Sequence, residues 1–306
     1  MKKIILLLAL ICLLPFSAVA KDIRIGVAMG YFDDNFRSLI RQTIDNRIKQ
    51  ETGVTVQFED AKGDVATQIQ QVENFVNQGM DAIILNLVDT QAVRPMMQQA
   101  ERAGIPLVFV NLRPEVQLGK NMAYVGSDTE LSGRIQMEAL AKEMGGKGNL
   151  AILMGSLSSE ATRYRTKGVE EIAKKFPDIR IVQKQSAMFF RKEAVDVTSN
   201  WILSGDKIDA IAANNDEMAI GAIMALQQAG RKDVLVAGID GTPDALELIK
   251  QGRLNISVFQ DAKGQGEGAV ETVLKMLRGE PVEENVLIPY QLITKDNYQQ
   301  FAQNTN

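Results

Sequence analysis

Polar side chains follow the short apolar runs of this 306-residue sequence, each close to the point where a run ends. They are Asp34, Asn86, Asn111, Arg113, Asn215, Asp240 and Gln260. Carboxylates accept hydrogen bonds, the guanidinium group donates them, and amides do both. Hydroxyl groups also donate and accept, and bonds to charged partners are the stronger ones. The pattern therefore indicates a binding site for a polyhydroxylated solute.

The sequence lacks the side chains on which most enzymes and metal sites depend. It has no histidine and one cysteine, Cys12, which removes the commonest general base and metal ligand. Asp33 and Asp34 are adjacent, and neither has an identified partner for glycosidase chemistry. We therefore predict no catalytic residue, no cofactor and no metal. A carboxylate-based enzyme is the alternative, and turnover of a bound sugar would reveal it.

Each candidate residue also has a local structural interpretation. Asp34 and Asn215 precede helical patterns and can act as N-caps. Asn86, Asn111 and Asp240 can be turn residues. Because parallel strands end at one edge of a sheet, where ligands bind, the shared position of these residues favours a site.

Two aromatic residues and one polar segment have equally open interpretations. Phe36 and Phe189 are core residues by default, although an aromatic ring near a loop can form the apolar wall for a sugar or cyclitol ring. The segment 155–168 contains Ser158, Arg163 and Arg165, and it can be a solvated helix start with exposed charges. A serine without any histidine excludes a hydrolase triad there.

Apolar runs alternate with amphipathic stretches along the chain, which predicts an α/β fold with parallel sheets. The predicted strands are 23–28, 54–58, 82–85, 106–110, 122–125, 150–154, 179–182, 208–212, 234–238 and 254–258, with a further extended run at 285–290. Residues 65–79 have the spacing of a helix with one apolar face. Five strand–helix steps precede Gly126 and about five follow it, so two lobes are expected rather than one large sheet.

The N-terminus has the features of a cleaved secretory signal. Lys2 and Lys3 precede an apolar stretch too short to cross a bilayer, and the motif 18–20 reads Ala-Val-Ala. We predict a signal peptide at 1–20, cleavage after Ala20 and no lipid anchor at Cys12. The formal net charge is −4 without a basic stripe, which argues against nucleic acid and anionic lipid as partners.

Several stretches, in this order and spacing, resemble the periplasmic sugar-binding proteins of ABC importers of the ribose, galactose and inositol type, over residues 22–292. The stretches are Asp33-Asp34-Asn35-Phe36, Asn86-Leu87-Val88-Asp89, Asn214-Asn215-Asp216-Glu217-Met218-Ala219, Gly238-Ile239-Asp240-Gly241-Thr242-Pro243-Asp244 and Phe259-Gln260-Asp261. The resemblance implies two Rossmann-like lobes joined by a three-crossing hinge, near 125–127, 259–261 and 288–291. It implies lobes of 21–125 plus 261–289 and of 126–260 plus 290–306.

The resemblance also implies a role for each site residue. Hydroxyl groups would be bound by one set from the N-terminal lobe, and by another from the C-terminal lobe and the hinge. The N-terminal set is Asp34, Asn86, Asn111 and Arg113, with Phe36 against the ring. The other set is Arg165, Asn215, Asp240 and Gln260, with Phe189 stacking. Arg113 is the least direct match, since family members shift by one residue there.

The ligand expected from the resemblance is a cyclitol such as myo-inositol. The stretches 32–36, 154–158 and 259–266 are most similar to inositol- and rhizopine-binding members, and the calcium loop and histidine of the galactose/glucose branch are missing. A pentose or hexose such as ribose, galactose or glucose is the alternative.

The implied partners are the membrane permease and ATPase of an importer, with a chemoreceptor as a second candidate. A periplasmic monomer is expected. A repressor domain of the same fold would need a helix-turn-helix before the first strand. The predicted first strand starts directly after the predicted signal peptide, which argues against a repressor.

Overall fold

The computed structural model describes residues 22–302, which form twelve strands and nine α-helices, numbered here in chain order. The predicted signal peptide, its cleavage site and Cys12 lie outside the described residues. The strands divide into two groups, which we name lobe 1 and lobe 2. The predicted α/β class with two lobes of parallel sheet is confirmed.

Lobe 1 contains a six-stranded parallel sheet with helices on both faces. Its strands are β1 (Ile23–Met29), β2 (Val54–Asp60), β3 (Ala82–Leu85), β4 (Leu107–Asn111), β5 (Met122–Gly126) and β11 (Asn285–Leu287). Its helices are α1 (Asn35–Ile48), α2 (Val65–Asn77), α3 (Arg94–Ala103) and α9 (Ala262–Leu277). The strand order is β11-β5-β4-β3-β1-β2.

Both faces of this sheet are covered, which explains why strands such as β3 are apolar throughout. Helices α1 and α9 pack on one face, and α2 and α3 pack on the other. Ile40 and Phe75 are fully buried on opposite faces. Each side chain of this kind contributes about 1.5–3 kcal/mol relative to an exposed position. The two packed faces hold the carboxyl ends of the strands at one edge.

Lobe 2 contains a four-stranded parallel sheet of order β7-β6-β8-β9, extended by an antiparallel pair. Its strands are β6 (Lys147–Met154), β7 (Asp178–Ser186), β8 (Ala210–Ala213), β9 (Leu235–Ala237), β10 (Ser257–Phe259) and β12 (Gln291–Ile293). Its helices are α4 (Thr129–Glu143), α5 (Glu160–Ala173), α6 (Arg191–Leu203), α7 (Asp216–Gln228) and α8 (Pro243–Lys250). Single parallel bridges, Ala237 to Ile256 and Asp240 to Phe259, join β10 to the edge at β9.

The chain passes between the lobes three times. The passages are residues 127–128 between β5 and α4, 260–261 between β10 and α9, and 288–290 between β11 and β12. Of the predicted extended run 285–290, only β11 is a strand; residues 288–290 form the passage, and β12 begins after the run in lobe 2. Pro289 lies in the gap, and a proline has no N–H to donate to a sheet.

One predicted step is wrong, because no helix separates β4 from β5. Residues 112–121 form an irregular loop that contains Pro114 and Gly119. Both residue types disfavour a helix interior, and the loop carries no helical apolar period. Within residues 22–302, no helix combines the length and the apolar character that crossing a lipid bilayer requires.

Candidate functional site

A cavity between the lobes brings together eight of the ten residues predicted for the site. Its lining is Asp34, Phe36, Arg37, Asn111, Leu112, Ala161, Arg165, Phe189, Asn215, Asp240 and Gln260. The first five residues belong to lobe 1, the next five belong to lobe 2, and Gln260 lies in the second passage between the lobes. The polar groups therefore surround the cavity from both sides.

Asp34 serves the helix and the cavity at the same time. It is the N-cap of α1, and its Oδ1 accepts a hydrogen bond from the Arg37 backbone N–H over 2.8 Å. Capping by a carboxylate also suits the positive end of the helix dipole. The second oxygen, Oδ2, is 4.0 Å from Arg37 Nε and remains available in the cavity wall.

Asn215 has the same dual position in lobe 2. It is the N-cap of α7, and its Oδ1 accepts from the Met218 backbone N–H over 3.0 Å. Its Nδ2 donates to the backbone carbonyl of Phe189 over 3.2 Å. The amide thus fixes the backbone that carries the aromatic ring. Asp34 and Asn215 are therefore helix caps and cavity residues at the same time, so both interpretations of the sequence are observed.

Arg165 is held by three oxygen atoms. Its Nη1 donates to the Asn214 carbonyl at 2.5 Å and lies 3.5 Å from Asp240 Oδ1, while Nη2 donates to Gln260 Oε1 at 2.8 Å. Burial raises the pKa of the Asp240 carboxyl well above its usual range, and the Arg165 charge only partly opposes this. A ligand hydroxyl can therefore meet Asp240 as either a donor or an acceptor.

Three cavity residues adopt backbone conformations that L-residues rarely occupy. The φ angles are 71° at Asn111, 70° at Phe189 and 132° at Asp240. Such conformations cost about 1–3 kcal/mol each and persist only where the surrounding structure imposes them. Asparagine and aspartate occur at positive φ more often than phenylalanine does. The fold thus fixes the directions of these side chains before any ligand arrives.

Two predicted residues are not among those that line the cavity. Asn86 is fully buried behind it, and its Nδ2 donates to the Val110 carbonyl at 3.2 Å and to Asn111 Oδ1 at 3.4 Å. Asn86 therefore supports Asn111 in this structure. Arg113 lines a separate cleft with Glu115, Tyr124 and Glu160. Its role in ligand binding stays a prediction.

Three residues of the cavity wall, Arg37, Leu112 and Ala161, were not expected from the sequence pattern. Arg37 follows Phe36 and lies in the first turn of α1, three residues after the cap Asp34. A charged residue near the start of a helix is usually exposed, whereas Arg37 is only 8% exposed. The sequence contained one indication that Arg37 lies at the site. It follows Asp34 by three residues, and residues three apart share a helix face.

The lobes touch on both sides of the cavity. On one side Asn35 Nδ2 donates to Glu217 Oε1 at 2.7 Å, and the rings of Tyr31 and Phe190 meet edge to face at 6.0 Å. On the other side Arg163 of α5 forms an ion pair with Glu115 of the β4–β5 loop. The structure is therefore a closed arrangement of the two lobes.

Glu160 lies beside this second rim at the start of α5. Its backbone N–H donates to Thr90 Oγ1 of lobe 1 over 3.2 Å, and its Oε2 has no hydrogen-bond partner within the described part of the chain. Burial raises the pKa of Glu160 to about 7, although Thr129 and Arg165 oppose the shift. Among residues 22–302, no group of three His, Cys, Asp or Glu side chains is arranged to hold a metal ion.

Comparison with known proteins gives a consistent result over nearly the whole chain. The family described as "Periplasmic binding protein domain" matches residues 25–281. A Rhizobium meliloti protein named "Putative rhizopine-binding protein" is 43% identical over 98% of this chain and 99% of its own length. The xylitol-binding protein of Mycolicibacterium smegmatis is 35% identical over 90% of this chain and 78% of its own length.

A solved structure is similar in fold and sequence. It is an ABC transporter solute binding protein from Bacillus halodurans C-125 with bound myo-inositol. The TM-score is 0.89 at 38% identity, and the match covers 94% of this chain and 100% of that one.

Proposed function

We propose that this chain, a member of the periplasmic binding protein family, binds a cyclitol such as myo-inositol between two closing lobes. Members of this family are non-enzymatic solute-binding components of transporters. The observation that carries the proposal is the cavity itself. Two carboxylates, two guanidinium groups and three amides face one small space that also has two aromatic rings. A ring with a hydroxyl on every carbon can satisfy such a set from all sides.

The two rings and the polar groups have separate tasks in this proposal. Phe36 and Phe189 supply apolar faces for the carbon skeleton of the ligand. Asp34, Asn111, Arg165, Asn215, Asp240 and Gln260 bind its hydroxyl groups. A hydroxyl that is missing or misplaced leaves a buried protein group unpaired, at about 1–3 kcal/mol. The names of the rhizopine-binding and myo-inositol-bound relatives support a cyclitol over other polyols.

Closure of the lobes supplies the mechanism. Ligand held by lobe 1 alone meets Asp34 and Asn111, and closure adds Arg165, Asn215 and Asp240. The bound ligand therefore shifts the population toward the closed form by the energy of these added contacts. For the lobes we propose 21–125 plus 261–289 and 126–260 plus 290–306. The closed form would dock on the permease and ATPase of an ABC importer, with a chemoreceptor as a second candidate partner.

A thermal-shift and calorimetry screen tests the ligand. The protein is stripped of bound solute by unfolding and refolding, then measured with myo-inositol, scyllo-inositol, xylitol, ribose and galactose. A ligand at 100 times its Kd stabilises the folded form by about 2.7 kcal/mol. We expect this with an inositol and much less with ribose or galactose. A pentose or hexose that binds more tightly than every inositol would contradict the cyclitol proposal and retain the transport role.

The periplasmic location requires its own measurement. We propose that residues 1–20 direct secretion and that the mature chain starts at Lys21. N-terminal sequencing of the protein from the periplasmic fraction of a producing cell should read Lys-Asp-Ile-Arg, and size exclusion should give a monomer. An uncleaved chain in the cytoplasm would contradict this part of the proposal.

A further inference from the structure

Arg37 is a buried cation in the cavity wall with almost no protein partner. The residue is 8% exposed, and its closest carboxylate atom, Asp34 Oδ2, is 4.0 Å from Nε. Within residues 22–302, Nη1 has no hydrogen-bond partner. The residue also lies in the first turn of α1, where the helix dipole disfavours a positive charge. The protein alone therefore leaves this guanidinium poorly compensated.

Arg165, on the opposite wall, is the useful comparison. It is similarly buried, but the Asn214 carbonyl, Asp240 and Gln260 occupy its two terminal nitrogens. Arg165 is thus committed largely to protein atoms. A guanidinium group has five donors, and Nη1 of Arg37 has no hydrogen-bond partner within the described residues. Both cavity cations therefore keep a donor without a partner among residues 22–302: Arg165 at Nε, and Arg37 at the terminal nitrogen Nη1.

The guanidinium of Arg37 is nevertheless held in place. Its Cζ is 5.1 Å from the centre of the Tyr31 ring, a cation–π distance. Gly30 provides the remaining space, since a Cβ there would lie 2.5 Å from Nη1. The aromatic ring and the absent side chain together preorganise the charge. A preorganised donor loses little entropy when a ligand binds.

We infer that Arg37 determines specificity, donating to an oxygen atom of the bound polyol and disfavouring ligands in which a hydroxyl is replaced by an ammonium group. This inference rests on the proposed polyol-binding function. Asp34 and Asp240 accept hydrogen bonds from hydroxyl and ammonium groups alike, and the Asp34 carboxylate by itself would favour the ammonium. The cation at Arg37 reverses that preference, because it attracts oxygen lone pairs and repels a second positive charge.

Calorimetric titration of the full mature chain tests the inference with a matched ligand pair. The pair is the neutral polyol that the wild type binds best in the screen and its aminodeoxy analogue, with one ammonium in place of a hydroxyl. The variants are Arg37→Met, Arg37→Lys and, as the control, Arg41→Met. Arg41 is one turn further along α1 and stacks on Phe32 at 4.4 Å, but it is not among the residues that line the cavity.

The expected results differ between the variants. Arg37→Met should weaken the neutral polyol by about 10- to 100-fold, the effect of one hydrogen bond to a charged group. It should also shift the affinity ratio toward the aminodeoxy analogue by at least about tenfold. Arg37→Lys should lose affinity for the neutral polyol but keep the discrimination, since its charge remains. Arg41→Met should change neither quantity.

Two results would overturn the inference, and a third separates it from the proposed function. A wild type that prefers the aminodeoxy analogue overturns it, and so does an affinity ratio that Arg37→Met leaves unchanged. In both cases polyol binding itself stands. A wild type that binds no polyol removes the proposed function, and the inference fails with it. Thermal unfolding of each variant confirms that the comparison is made between folded proteins.

Discussion

Arg165 Nη2 donates to Gln260 Oε1 over 2.8 Å, so a cavity residue on α5 is bonded to the second passage between the lobes. Gln260 lies between β10 and α9, at the point where the chain returns to lobe 1. A ligand that reorients Arg165 therefore also displaces Gln260, which lies in a passage about which the lobes move. Recognition and closure share this hydrogen bond.

Asp240→Asn should separate ligand affinity from stability. Because burial raises the pKa of Asp240, asparagine closely matches the neutral carboxyl, and the free energy of unfolding at pH 7 should change by less than about 1 kcal/mol. Affinity for the polyol should fall about 10- to 100-fold, because the amide NH2 only donates where the carboxyl oxygen can also accept, which leaves a ligand hydroxyl unpaired. Calorimetry and urea unfolding measure both quantities. Asp244→Asn, on the exposed start of α8, is the control; an unchanged affinity in Asp240→Asn would exclude that residue from the site.

Gly155→Ala should weaken ligand binding without altering any residue of the cavity wall. A Cβ at Gly155 would overlap the ring of Phe189, so the ring must move. We expect at least about a tenfold loss of affinity and about 1–3 kcal/mol of destabilisation from overpacking. The control is Gly268→Ala, whose Cβ would lie 3.1 Å from Val125 in lobe 1. Equal affinity losses in the two variants would mean that the position of Phe189 is irrelevant.

The Glu160 carboxyl should make stability fall as the pH rises from 4.5 to 7. Its pKa is raised from 4.5 to about 7 in the folded protein, so the folded state binds the proton more tightly than the unfolded state. The favourable term is fully present below about pH 4.5 and is lost by about pH 7. Burial raises the pKa of Asp216 to about 6, which acts in the same direction.

Glu160→Gln tests this pH dependence. The variant should resemble the wild type in stability at pH 4.5 and exceed it by about 3 kcal/mol at pH 8, because glutamine stays neutral. Urea unfolding between pH 4.5 and 8 measures the difference. Glu138→Gln, exposed on α4, should show no such trend. A stability difference that does not vary with pH would contradict the assignment to Glu160.

Arg163→Gln should loosen the closed form through the ion pair with Glu115. The two side chains belong to different lobes and are partly exposed, at 33% and 22%. Exposed pairs contribute about 0.2–1 kcal/mol, so ligand affinity should fall two- to fivefold at low salt, with less difference at 1 M NaCl. Arg134→Gln removes ion pairs within lobe 2 and should leave affinity unchanged. Calorimetry at two salt concentrations measures the affinity of each variant. An affinity loss in Arg163→Gln that does not depend on salt would contradict an electrostatic contribution of the ion pair to closure.

The sequence predicted the strands that are apolar on both faces most accurately. β3 begins and ends where predicted, because Ala82–Leu85 is bounded by polar residues and fully buried. β10 was placed three residues too early. Its predicted start, Leu254, enters the core as part of a turn, and Asn255 accepts from the Val236 backbone N–H through its side chain. Short edge strands depend on such tertiary bonds, which periodicity does not contain.

The candidate site was predictable where polar residues follow the ends of strands, and two of these residues, Asp34 and Asn215, also cap helices. Asp34, Asn215 and Asp240 follow that rule, and the structure brings them into one cavity. Arg37 did not follow it, because its burial depends on the missing Cβ of Gly30 and the ring of Tyr31. Asn86 follows the rule in sequence but lies one layer deeper, behind Asn111. How deep a residue such as Asn86 lies below the sheet edge depends on the packing between strands, which the sequence pattern does not contain.

The position of α9 and β11 in lobe 1 constrains the order in which the molecule can fold. Val270, Val273 and Leu274 of α9 belong to the same core cluster as Ile25 and Ile40 near the start of the chain. Lobe 1 therefore has an open hydrophobic face until residue 277 has been synthesised, after all but the last strand of lobe 2. A nascent chain of this topology stays incompletely folded while it emerges. Translocation across a membrane in an extended state, followed by folding on the far side, suits that order of synthesis.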